Sequence, residues 1–171
     1  MNETLDKLNK ICGLARVTAK ICIAFLIIGI FASIVMIGVV ALYPDFLTDV
    51  FETGGTTVTN GLILATCVTA IFGGALGIVV LHYLDCLFTN IRDSNTPFTN
   101  KSVKYLETIA RLLVIFTISV PAVSAIAAFA FSTDVVMEFS ISALLVAGLV
   151  YVLSLIFKHG TSLQNESDAI L

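Results

Sequence analysis

The sequence predicts an all-α integral membrane protein, a four-helix bundle with almost no part outside the bilayer. Of its 171 residues, 58% are hydrophobic and only 12% are charged, roughly half the charged share of a soluble domain. Four uncharged apolar runs, 21–43, 58–84, 112–133 and 139–157, each reach or approach the ~20 residues a helix needs to cross the hydrocarbon core. The runs are continuous rather than alternating, which excludes a transmembrane barrel. A single domain, 1–171, follows, with spans at 17–43, 58–86, 106–132 and 138–158 and a connector at 87–105.

Charge sets the orientation. All nine basic residues (Lys7, Lys10, Arg16, Lys20, Arg92, Lys101, Lys104, Arg111 and Lys158) fall in the N-terminal segment, the middle connector or the C-terminal tail. The two other loops hold only acids, Asp45, Asp49 and Glu52 in one and Asp134 and Glu138 in the other. Positive segments stay inside during insertion, so both termini and the connector are expected on the cytoplasmic side of a cell membrane, with short outer loops. None of the four cysteines (Cys12, Cys22, Cys67, Cys86) sits in an outer loop, and no disulfide is expected.

Along the N-terminal segment, Leu5, Leu8, Cys12 and Ala15 recur at helical spacing, which predicts a helix running into the first span. That span is too long for a signal-peptide core and has no A-x-A-like site after it, so it is expected to stay as an anchor. Gly29 and Ser33, at i and i+4, offer a close-packing face. Pro44 suits a first helical position and Gly54-Gly55 a stop. A short interfacial helix between them would put Phe46, Leu47, Val50 and Phe51 on one face.

The second span carries Gly73 and Gly77, a small-xxx-small pair expected to meet the first span at Gly29 and Ser33. Packing within the chain outweighs dimerisation, although oligomers through this pair stay open. At its end His82, Asp85 and Cys86 share one helix side. Three unlike ligands without a second cluster are a weak metal signal, and no metal or cofactor is expected. Pro121 in the third span frees the carbonyl of Thr117, and a kink there would open a cavity. The fourth span has Ser142, Ala143, Ala147 and Gly148 for close packing. It is expected to stop at Gly160, leaving a short polar tail.

The connector is where a function would show itself. Pro97 biases Thr96 out of a helix, and Thr99 or Asn100 can cap the next one. From there Val103, Leu106, Ala110 and Leu113 line one face and Lys101, Lys104 and Arg111 another, an amphipathic basic helix feeding the third span. Glu107 lies within pairing reach of Lys104 and Arg111. Pro97, Phe98, Thr99, Lys101, Lys104 and Arg111 thus form a candidate partner-binding face, with an aromatic anchor beside a basic stripe.

The run Pro97-Phe98-Thr99, then Val103-Lys104-x-Leu106 and Ile109-Ala110, resembles the central "PFT…NVKRLR.IG" motif of the bacterial domain of unknown function 2975 family. The segment from Ile156-Phe157 through Gly160 and Leu163-Gln164 to Glu166 and Asp168 is similar to that family's closing "iF..G..Lq.E.D" pattern. Here Asn100-Lys101 replaces the usual acidic pair and Ser102 stands where Asn is common. The resemblance implies a small four-span membrane protein. It also implies a membrane partner for a transcription factor, since members are often encoded beside a small helix-turn-helix regulator.

Neither the resemblance nor the bare sequence supplies catalytic residues, because no phosphate loop, metal pair or base-activated nucleophile is present. No Asp, Glu, Lys or Arg lies deep in a span, where ion-coupled carriers need one. A non-enzyme is therefore expected, and a basic helix without a soluble fold is a poor direct reader of nucleic acid. Two readings remain. One is a regulatory or sensor module in the lipid bilayer whose cytoplasmic face binds a small DNA-binding regulator. The alternative is a bundle that takes up a lipid, hydrophobic compound or toxic peptide, for immunity or permeation.

Overall fold

The computed structural model describes residues 2–43, 59–94, 96, 98–133 and 141–170. They form four helices, α1 (Asn2–Leu42), α2 (Asn60–Ser94), α3 (Asn100–Ala130) and α4 (Ile141–Ile170). The expected interfacial helix after Pro44, the turn around Asp134 to Glu138, and Pro97 lie outside the described residues.

All four helices are long and apolar enough to cross a membrane, and only 6% to 17% of each most apolar window is buried against the rest of the chain. Side chains such as Phe25, Phe31, Ile126, Phe129 and Leu149 point outward, as a lipid-facing surface requires. The protein is a multi-pass helical membrane protein. A helix of 35 residues such as α2 is about 50 Å long, well beyond the ~30 Å hydrocarbon core. The basic segments are therefore continuations of the spanning helices rather than separate loops.

Contacts divide the chain into two compact units. The first comprises Met1–Ala24, Ile78–Ile115 and Ile141–Leu171, and holds every basic residue. Its core is Cys12 of α1, Val80, Leu87 and Ile91 of α2, and Leu106 and Ile109 of α3, with Phe157 of α4 packed against them. The sequence expected a stop at Gly160. Instead α4 runs through it to Ile170, and the glycine serves a different purpose, described below.

The second unit comprises Phe25–Gly77 and Phe116–Ser140. Here small residues do bring helices together: Gly77 meets α1 as expected, but at Leu26 rather than at Gly29 or Ser33, and Gly73 meets α3 instead. A Cβ on Gly74 would stand 3.0 Å from Ile30, one on Gly77 3.2 Å from Leu26, and one on Gly73 3.7 Å from Val120. Among the described residues nothing stands within 4 Å of the Gly29 Cβ position, and the Ser33 hydroxyl donates to the Gly29 carbonyl of its own helix at 2.9 Å. The notch on α2 thus receives the tips of large α1 side chains rather than a matching notch. α3 continues past Pro121, and beside it a cavity of about 370 Å³ opens between Thr66, Thr69 and Gly73 of α2 and Val120 and Ser124 of α3.

α3 ends in a Schellman turn: Thr133 N–H donates to the Ala128 carbonyl (3.0 Å) and Ser132 N–H to Phe129 (3.3 Å). Ser132 holds the left-handed position at φ 51°. Gly61, in the first turn of α2, backs onto this turn so closely that a Cβ would lie 2.7 Å from the Phe131 carbonyl oxygen.

Candidate functional site

The connector between α2 and α3 is tied by side chains at both ends. Ser94 Oγ lies 2.6 Å from the Asn90 carbonyl and 2.8 Å from that of Thr96, closing α2. Thr99 caps α3: its hydroxyl accepts the Ser102 N–H at 3.1 Å, and its carbonyl accepts the first helical N–H, from Val103, at 3.1 Å. Asn90 reaches across from α2, donating one amide hydrogen to Thr99 Oγ1 (2.7 Å) and the other to Ser102 Oγ (2.9 Å). Both acceptor positions of the Thr99 hydroxyl are then filled, so it is the donor in its 2.9 Å contact with Ser102. Ser102 is fully buried. Sequence reasoning left the cap open between Thr99 and Asn100, and missed Asn90, an uncharged polar residue one turn before the end of α2.

Phe98 leaves this turn and lands on α4. Its ring lies 5.5 Å from that of Phe157, and a Cβ on Gly160 would stand 2.6 Å from its Cδ1. Read from sequence as an exposed anchor, Phe98 is 39% exposed; its remaining surface is packed on its own chain. Gly160 is the notch that admits the ring. The two motifs quoted from the sequence, one in the connector and one in α4, are in this way a single structure. Beyond it, Leu163 is 54% exposed.

The basic stripe of α3 is shared between two recesses. Lys101 lines a polar recess of about 230 Å³ with Cys86, Thr89, Asn90, Asp93 and Tyr105. Arg111 lines an apolar groove against α4 and pairs loosely with Glu107 at 3.8 Å. Lys104 is exposed.

Asp85, considered as a metal ligand, instead accepts a hydrogen bond from Arg16 Nε at 3.1 Å, an ion pair tying α1 to α2. His82 and Cys86 stand 3.8 Å apart. Among the described residues no group of three His, Cys, Asp or Glu could hold a metal ion.

The family described as "Protein of unknown function (DUF2975)" matches residues 52–170, which include both motifs that meet at Phe98 and Gly160. The chain belongs to this family. No curated protein and no solved structure matches it. In this DUF2975 member α1 precedes the matched region, yet it supplies Cys12 to the core and Arg16 to the ion pair.

Proposed function

We propose that this DUF2975 protein is a non-catalytic regulatory or sensor module of the bacterial cell membrane, with its termini and connector in the cytoplasm. Its cytoplasmic face would bind a soluble protein such as a small helix-turn-helix regulator. The observation that carries the reading is the seating of Phe98 on Phe157 and Gly160. Basic residues alone suffice to orient a membrane protein. Orientation does not call for an aromatic turn locked onto the last helix, with Lys101, Lys104 and Leu163 exposed nearby in sequence. A rigid platform with an apolar spot and cations is what a protein partner uses.

Because Phe98 is partly internal, Leu163 is the better probe. Pull-down from native membranes should recover a DNA-binding protein that rebinds the purified chain, and Leu163→Ser should abolish that binding without changing stability. Impermeant thiol labelling of Asp93→Cys only after permeabilisation, in a background lacking the native cysteines, should establish the orientation. A second reading, uptake of a lipid, hydrophobic compound or toxic peptide between the helices, draws on the cavity beside Pro121. It becomes the leading one if no soluble protein is recovered with the wild type.

A further inference from the structure

We infer that the groove between α3 and α4 is a binding site for one anionic phospholipid, with an acyl chain between the helices and the phosphate at Arg111 and Tyr151. This goes beyond the partner reading and stands whether or not a soluble protein binds.

The groove has a volume of about 330 Å³ and is apolar along its length, where Val114, Leu144, Ala147 and Gly148 form its walls. Arg111 and Tyr151 also line it. From Tyr151 to Leu144 is two helical turns, about 10 Å, enough for the head-proximal part of one chain. Gly148 leaves the space: among the described residues nothing stands within 4 Å of its Cβ position, so the close helix packing expected of it does not occur within the described chain.

Arg111 and Tyr151 are where an acyl chain must give way to a headgroup. Arg111 immediately precedes the uncharged run of α3, its side chain is 77% exposed, and the phenol of Tyr151 can donate a hydrogen bond. Farther out along the same helix faces, seven residues from each, stand Lys104 on α3 and Lys158 on α4. Both are exposed. Among the described residues Glu107 is the carboxylate that pairs with this cluster, 3.8 Å from Arg111. That pairing occupies one edge of a guanidinium with five donors and leaves the others for phosphate oxygens. The net positive charge selects the occupant. A zwitterionic lipid would bring its own cation into the cluster, whereas a phosphatidylglycerol headgroup brings only the phosphate charge.

The test uses the full chain in detergent, offered equal amounts of phosphatidylglycerol and phosphatidylcholine and read by native mass spectrometry. Wild type should retain phosphatidylglycerol preferentially. Arg111→Gln should cut that preference about fivefold, the factor expected for losing one cation near an anionic headgroup. Gly148→Leu should remove the bound lipid by filling the groove, with the thermal unfolding of the protein unchanged. Lys20→Gln, a cation away from the groove, should change nothing. Equal retention of the two lipids by the wild type, or an undiminished lipid adduct in Gly148→Leu, overturns the assignment. So does conversion of a dimer to a monomer by Gly148→Leu, which would make the groove a helix–helix interface. Should Gly148→Leu fold poorly, the exposed Arg111→Gln decides alone.

Discussion

Phe98 and Gly160 are in contact in a way that no other residue at 160 permits: a Cβ there would stand 2.6 Å from Cδ1 and 2.7 Å from Cε1 of the ring. In an isolated helix Gly→Ala gains about 1 kcal/mol of helix propensity. Here overpacking, at about 1–3 kcal/mol, should win because Phe157 limits the retreat of the ring. Gly160→Ala should therefore lower the thermal midpoint in detergent. In a Phe98→Ala background the same change should raise it. A cycle with no change of sign between the two backgrounds would show that the ring simply swings away.

Asn90 is the only described donor to the side chains of both Thr99 and Ser102. Asn90→Ala removes one donor from the buried Ser102 hydroxyl, which keeps the Thr99 O–H, so the cost should be that of a lost hydrogen bond, about 1 kcal/mol. Faster hydrogen exchange of the Ser102 and Val103 amides should mark the loosened start of α3. Unaltered exchange would mean that Thr99 caps the helix unaided.

The Arg16–Asp85 pair has side chains 25% and 20% exposed. With three quarters or more of each side chain buried, water screens the pair incompletely, and Arg16→Gln or Asp85→Asn should each cost about 1–3 kcal/mol by leaving the other charge unpaired. The exchanged double variant, Arg16→Asp with Asp85→Arg, should recover most of the loss. Stability equal to wild type in both single variants would reduce the pair to a surface contact.

Glycines of apparently equal status should respond with opposite signs. Gly29→Ala should be neutral or stabilising, since its Cβ meets open space. Gly74→Ala, pressed on Ile30, and Gly61→Ala, against the Phe131 carbonyl, should lower folded yield. Ser132→Gly should stabilise by about 1 kcal/mol, because a left-handed backbone position penalises any side chain. Thermal unfolding of the four variants side by side measures the order; a loss at Gly29 equal to that at Gly74 would contradict the packing.

Two features of the candidate site were legible in part. The connector was recognisable because Thr96, Pro97, Phe98 and Thr99 are local turn and capping chemistry, and Thr99 does cap α3. Gly160 was misread as a helix stop because a glycine near a basic helix end has that meaning locally. Only the arrival of Phe98 from 62 positions earlier gives it another. Asp85 likewise has a partner that no local pattern gives, Arg16 on α1.

By itself the sequence determined four apolar helices long enough to span a membrane, and the confinement of all basic residues to the N-terminal segment, the connector and the C-terminal tail. These follow from composition and run length, which are properties of each segment alone. The tertiary structure decided which face of each helix meets which neighbour: Gly74 and Gly77 against Ile30 and Leu26 rather than against Gly29, Phe98 against Gly160, and Lys101 and Arg111 into different recesses. The reason is physical. A helix apolar on every side has no strong polar face to set its rotation, and in lipid no hydrophobic force turns one face inward. Rotation is left to shape and to a few polar contacts, which exist only once the helices are side by side.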